Sequence, residues 1–187
     1  AAASYDRPEG PLWAMIIGGR SRSHYYSDED WRNIAKGMNT LSRSNHISWL
    51  LTTSRRTGAR AEAILKQELE PSFLADAIWW ATKPEKRMMA FLGLGERVFV
   101  TQDSVTMVTE CVSSKRPVTV IYPSGVDFSS KSFIANYLLK LEKNQWLSRQ
   151  SISKLAEVSI SAGNIKYHEE ATEYKMVEDL IKRLKCK

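Results

Sequence analysis

Cysteine is nearly missing from this chain. It holds two, Cys111 and Cys186, too few for a disulfide framework and without the CxxC or Cys/His spacing of a zinc site. A reducing, cytoplasmic setting is the expected one. No apolar run approaches the roughly 20 residues of a membrane-spanning helix, and no secretory leader is visible. The three histidines, His24, His46 and His168, are far apart in sequence. His24 lies in a polar loop, where a solvent-exposed role is expected of it. No G-x-G-x-x-G fingerprint is present, which disfavours a dinucleotide cofactor, and GxxxxGK[ST], G-x-S-x-G and HExxH are missing as well. Charge of one sign is only mildly in excess: 27 basic residues against 21 acidic ones leave +6. The basic residues are dispersed and follow no recognition motif, so nucleic acid is not the expected partner. The charge suits a phosphorylated small molecule, or contact with the periphery of an anionic membrane.

What is present suits one globular domain with a sizeable core: 187 residues, 43% of them hydrophobic. The organising stretch is Val98 to Pro123, which reads strand, helix, strand. Val98–Thr101 is a short β-branched run, and Asp103 and Ser104 stand at a helix N-cap. Val105, Val108, Cys111 and Val112 then share one helical face. Asp103, Thr106, Glu110 and Ser114, with Met107 beside them, form a second stripe near the positive helix end, the character of a polar-ligand site. Arg116-Pro117 ends the helix, and Val118–Tyr122 is the next strand.

The rest of the chain alternates in the same way. Residues 1–11, with Pro8, Gly10 and Pro11, read as a linker or remnant. Strands are expected at residues 12–17, 47–53 and 76–81. A first helix is capped by Ser27 with Asp30 three residues on. A second covers residues 58–69, and a third opens at Lys83-Pro84-Glu85. Trp79-Trp80 is expected to serve core and interface. Beyond Ser124 the pattern becomes helical, with segments around residues 133–141, 152–158 and 176–184. The division is therefore a Rossmann-like domain over residues 12–125 and a C-terminal helical extension over residues 126–187.

Alternating strands and helices imply an α/β fold, a three-layer doubly wound parallel sheet. With right-handed crossovers the simplest strand order is 3-2-1-4-5, and ligands bind where the winding reverses, between strands one and four. The loops facing that crevice are Gly18-Gly19-Arg20-Ser21-Arg22-Ser23-His24 and Thr101-Gln102-Asp103-Ser104. Ser54-Arg55-Arg56-Thr57 lies one strand away. Glycines allow close backbone approach to a ligand, while Arg20, Arg22, Arg55 and Arg56 provide forked donors for phosphate oxygens.

The motifs LWAMIIGGRSRSHYY, LLTTSRRTGA and FVTQDSVTMVTECVSSKRPVTVIYP together resemble the mitochondrial-fission (elongated-mitochondria) family, found in plants and alphaproteobacteria. The resemblance runs from Leu12 to Pro123. That family in turn is similar to the C-terminal, donor-binding half of GT-B glycosyltransferases. The resemblance implies a diphosphate site at Gly18, Gly19, Arg20, Ser21, Ser54, Arg55, Arg56, Asp103 and Ser104, and a ribose or nucleotide site at Met107 and Glu110. It implies no metal and no cofactor beyond a substrate nucleotide-sugar. It also implies a separate N-terminal acceptor domain, without which no catalytic base is identified and no transfer is expected. The other reading open to the sequence is a non-catalytic scaffold in organelle or cell division.

Overall fold

A computed structural model describes residues 10–21, 24–124, 126, 133–158 and 160. The expected helix at residues 176–184 lies outside them. Six parallel strands form one sheet in the order β3-β2-β1-β4-β5-β6. They are β1 (Leu12–Ile16), β2 (Ser48–Thr52), β3 (Leu74–Ile78), β4 (Arg97–Thr101), β5 (Val118–Tyr122) and β6 (Ser148–Ser151). The helices are α1 (Asp28–Asn45), α2 (Gly58–Glu68), α3 (Met88–Leu94), α4 (Val105–Ser113) and α5 (Phe133–Lys143). None of the described helices is long and apolar enough to cross a membrane.

β1 shows why the sheet is covered on both sides. Side chains alternate along a strand, so a fully buried strand must be apolar on both faces. Trp13, Met15 and Ile17 pack with Ile34 and Met38 of α1. Leu12, Ala14 and Ile16 pack with Phe91 and Leu92 of α3 and with Val108, Cys111 and Val112 of α4. The α1 start is the expected capping box: the Ser27 hydroxyl accepts from Asp30 N, and the Asp30 carboxylate from Ser27 N.

Three of the differences from the sequence reading have a local reason. β3 ends at Ile78 rather than Ala81, because Thr82 N and Lys83 N both turn back to the Trp79 carbonyl. α3 starts at Met88 rather than near Lys83. Glu85 pairs there with both Lys83 and Arg87, and Arg87 reaches Asp76, which holds residues 84–87 in an irregular turn. The third difference is β6. It is a four-residue polar edge strand, Ser-Arg-Gln-Ser, with no apolar alternation to reveal it, yet it pairs in register with β5 from Thr119↔Ser148 to Tyr122↔Ser151. The stretch after Ser124 therefore continues the sheet as well as adding helix. Ile152–Glu157 then forms a 3₁₀ turn that returns to α1, with Ile152 and Leu155 buried.

Candidate functional site

β1 pairs with β2 on one side and β4 on the other, so the chain reverses its winding at β1. The loops leaving β1, β2 and β4 meet there, and the structure ties them together by direct bonds. Gly18 N donates to Thr101 Oγ1 at 2.7 Å and Gly19 N to Asp103 Oδ2 at 3.0 Å. Ser54 Oγ donates to the Gly18 carbonyl at 2.8 Å, and the Thr57 hydroxyl donates to the same oxygen. Both glycines are required by the closeness of these approaches. A Cβ on Gly18 would lie 2.2 Å from Asp103 Oδ2, and one on Gly19 would lie 2.2 Å from the Arg56 carbonyl oxygen.

Asp103 is the pin. Its side chain is fully buried and accepts from Gly19 N, from Tyr26 Oη at 3.1 Å, and from Arg56 Nη2 at 2.7 Å. A buried carboxylate needs such a set of donors to offset its lost hydration. Burial, and then the charge and hydrogen bond of Asp103, push the Tyr26 phenol well above its ordinary pKa, so it stays a donor. Ser104 caps α4, its hydroxyl accepting from Met107 N at 3.4 Å. The Cys111 thiol is buried in the core and its pKa is pushed up by that burial, and then by the charge of Glu110, which favours the neutral thiol.

His24 is buried, contrary to the exposed role expected from its polar loop. The loop folds back on itself through Ser21 N to the His24 carbonyl and His24 N to Ser21 Oγ. Gln102 Nε2 meets His24 Nε2 at 3.0 Å, which makes the amide the donor and the ring nitrogen the acceptor. Desolvation lowers the His24 pKa; Asp103 opposes this and Arg56 adds to it. The unfolded chain protonates near the ordinary value of 6.5, whereas the folded chain resists. Stability contributed by the neutral ring is therefore complete above that value and is lost as pH falls through the lower folded value. Melting temperature should fall more steeply between about pH 7 and pH 5.5 in the parent chain than in His24→Gln. Parallel curves would show that the ring titrates freely.

A cavity of about 350 Å³ lies beside these loops on the α3/α4 side. Arg55, Ser54, Trp80, Met88, Met89 and Met107 are among its walls. Trp80 is held by its backbone: its N donates to Thr53 Oγ1 at 2.8 Å, and Thr53 Oγ1 donates to Glu62 at 2.6 Å. Glu62 is buried and also takes Ala81 N at 3.0 Å.

A profile of the family described as mitochondrial fission ELM1 matches residues 1–169. The chain belongs to that family. A curated relative, the uncharacterised protein RP120 of Rickettsia prowazekii (strain Madrid E), is 23% identical over 169 residues. The match takes in 90% of this chain but 45% of the relative, so this ELM1-family chain spans about half the length of the relative it matches.

Within this family member the eleven candidate residues divide. Gly18, Gly19, Ser54, Arg56 and Asp103 are brought into direct contact, and they are occupied with one another. Ser21 closes its own turn, and Ser104 caps α4. Arg55 enters the 350 Å³ cavity, whereas Arg20 and Arg56 line a groove on the other side of the same turn. Met107 lines the cavity, and Glu110, one helical turn further on, is exposed. The sequence singles out neither Tyr26 nor Glu62, and it marks Thr101 only as the first residue of a crevice-facing loop. Tyr26 stands directly before the capping box and Thr101 ends a β-branched strand, positions that indicate structure as readily as function.

Proposed function

We propose that this chain is the nucleotide-sugar-binding half of a glycosyltransferase-like protein, taking a nucleoside diphosphate at the carboxyl ends of β1, β2 and β4. The observation that carries the reading is the joining of three loops at the winding reversal, next to a cavity that offers two cations, Arg55 and Lys86, one carboxylate, Glu85, and an aromatic and thioether lining. Apolar walls with a few placed polar groups are the usual make-up of a small-molecule site. In this reading the diphosphate lies between Arg55 and the first turn of α4, whose leading amides have no partner within the helix. The base lies against Trp80 and Met107, and Glu110 accepts from the ribose hydroxyls. Because the amides of Gly18 and Gly19 turn inward, their contribution is to bring the loop close rather than to donate. Departure of the diphosphate would be assisted by the guanidinium and the helix dipole. The acceptor and its base would come from a second domain.

The same inward turn of both amides, with Arg56 held on Asp103, favours one other reading: a scaffold that keeps the fold without the chemistry. Titration of UDP, GDP, CDP and ADP, free and sugar-linked, separates the two. A ligand bound only by the folded state must raise its melting temperature. Arg55→Gln and Glu110→Gln should each weaken the best nucleotide by about tenfold, the scale of one charge-assisted hydrogen bond. Calorimetry reads the loss directly, and no binding by any of the nucleotides would leave the scaffold.

A further inference from the structure

On the α1/α2 side of the Ser54–Thr57 turn, away from the cavity just described, lies a groove of about 650 Å³. Four guanidinium groups line it, Arg20, Arg32, Arg56 and Arg60, against two carboxylates, Asp28 and Glu29. We propose that this groove is a second anion site, which takes a phosphate-bearing ligand by means of Arg20, Arg56 and Arg60. It is distinct from the proposed nucleotide site and does not depend on it.

The argument starts from what each cation is doing. Arg56 is anchored through Nη2 to the buried Asp103, so its guanidinium is fixed in place; its side chain is still 37% exposed. Arg60 forks onto Asp28 at 3.1 and 2.6 Å with its side chain 83% exposed. A surface pair of that kind contributes little to stability, so a dianion can compete for the arginine at small loss. Arg20 is exposed and lies 6.0 Å above the ring of Tyr25, which is itself 69% exposed. Arg20 has no carboxylate within ion-pair distance among the described residues.

Three guanidiniums on separate elements, one on the loop after β1, one on the turn after β2 and one on α2, suit a tetrahedral dianion with several oxygens better than a planar carboxylate. α2 adds to this. Its N-cap Thr57 makes no side-chain cap bond, and no acid stands in its first turn. Consecutive arginines thus face different ligands, Arg55 the cavity and Arg56 the groove. The phosphate could belong to a soluble ester or to a phospholipid headgroup, and the chemistry of recognition is the same.

The test is a titration of the full chain with inorganic pyrophosphate, followed by NMR. Amides of Tyr25, Ser27 and Ala61 report on the groove, and methyls of Met88, Met89 and Met107 on the cavity. The expected result is a saturable shift of the groove amides, with Kd raised tenfold or more by Arg60→Gln and by Arg20→Gln but unchanged by Arg55→Gln. Arg60→Gln should leave nucleoside diphosphate binding, read at the methionine methyls, as it was. Flotation with phosphatidate-containing vesicles then assigns the source. Binding that is competed by pyrophosphate and lost in Arg60→Gln identifies a headgroup, and a saturable amide response without flotation identifies a soluble ester. Groove amides that do not move, or Kd values within twofold of the parent in both Arg60→Gln and Arg20→Gln, would overturn the proposal. Because the two sets of reporters are separate, failure of the nucleotide reading would leave this result standing.

Discussion

Asp103→Ala is expected to lower the melting temperature by roughly 10 °C, far more than a typical substitution in a ligand loop. Two donors, the Gly19 amide and the Tyr26 hydroxyl, would be left buried without an acceptor. Each such orphan costs about 1–3 kcal/mol. Breaking a fully buried ion pair costs about 3–5 kcal/mol, but that figure is an upper bound here, because Arg56 can turn to water. A net loss of about 3 kcal/mol follows, and in a chain of this size each kcal/mol moves the midpoint by roughly 2–4 °C. Asp103→Asn keeps the shape and one acceptor: its oxygen can face Gly19 and Arg56 while its amide donates to the phenol oxygen. It should lose about half as much. Thermal and urea melts measure both. A loss under about 1 kcal/mol for the alanine variant would show that the loops are held together by something other than this carboxylate.

That expectation reverses part of what the residues suggest on their own. Asp103 and Ser104 at the head of α4 read as one polar pair facing a ligand, and the sequence cannot separate them. Distance does: Ser104 caps its own helix, while Asp103 reaches 84 residues back to Gly19. The two arginines of Ser54-Arg55-Arg56-Thr57 are alike as letters, and which side of the turn each takes depends on the carboxylate that captures Arg56. His24 looked exposed because its neighbours are polar. It is buried because the loop closes over it and Gln102 supplies a partner.

The fold was more legible than the site. β1, β2, β4 and β5 are runs of apolar residues bounded by polar ones, and the strand order 3-2-1-4-5 is the simplest one that right-handed crossovers allow. β6 escaped because its four half-buried residues are all polar and show no apolar alternation, and its hydrogen-bond partner β5 is what defines it. Ligand chemistry is harder to read than folding because the same residues serve both. Glycine, serine and arginine at a loop junction can cradle a phosphate or hold three loops together, and here several of them do the second.

Two double-mutant cycles, each pairing one glycine with Asp103, separate these two uses of the loop. Gly18→Ala and Gly19→Ala should each destabilise the chain, by about 1–3 kcal/mol or more, as expected for atoms forced into a filled space. The obstacles differ. The three nearest neighbours of a Gly18 Cβ all belong to the Asp103 side chain, at 2.2, 2.4 and 2.6 Å. The three nearest neighbours of a Gly19 Cβ are backbone: Arg56 O at 2.2 Å, Arg56 C at 2.3 Å and Thr57 N at 2.5 Å. Removing the Asp103 carboxylate therefore clears the space for Gly18→Ala and leaves Gly19→Ala as crowded as before. In the Asp103→Ala background Gly18→Ala should cost almost nothing, a coupling of about 1–3 kcal/mol, the size found for groups in direct contact. Gly19→Ala should retain its full penalty in both backgrounds, because a peptide carbonyl tied into the turn after β2 cannot swing aside as a side chain can. Urea midpoints of the five variants and the parent give both cycles. An equal cost for Gly18→Ala with and without Asp103 would mean that the loop is held apart from α4 by its backbone, and that the carboxylate merely fills the gap.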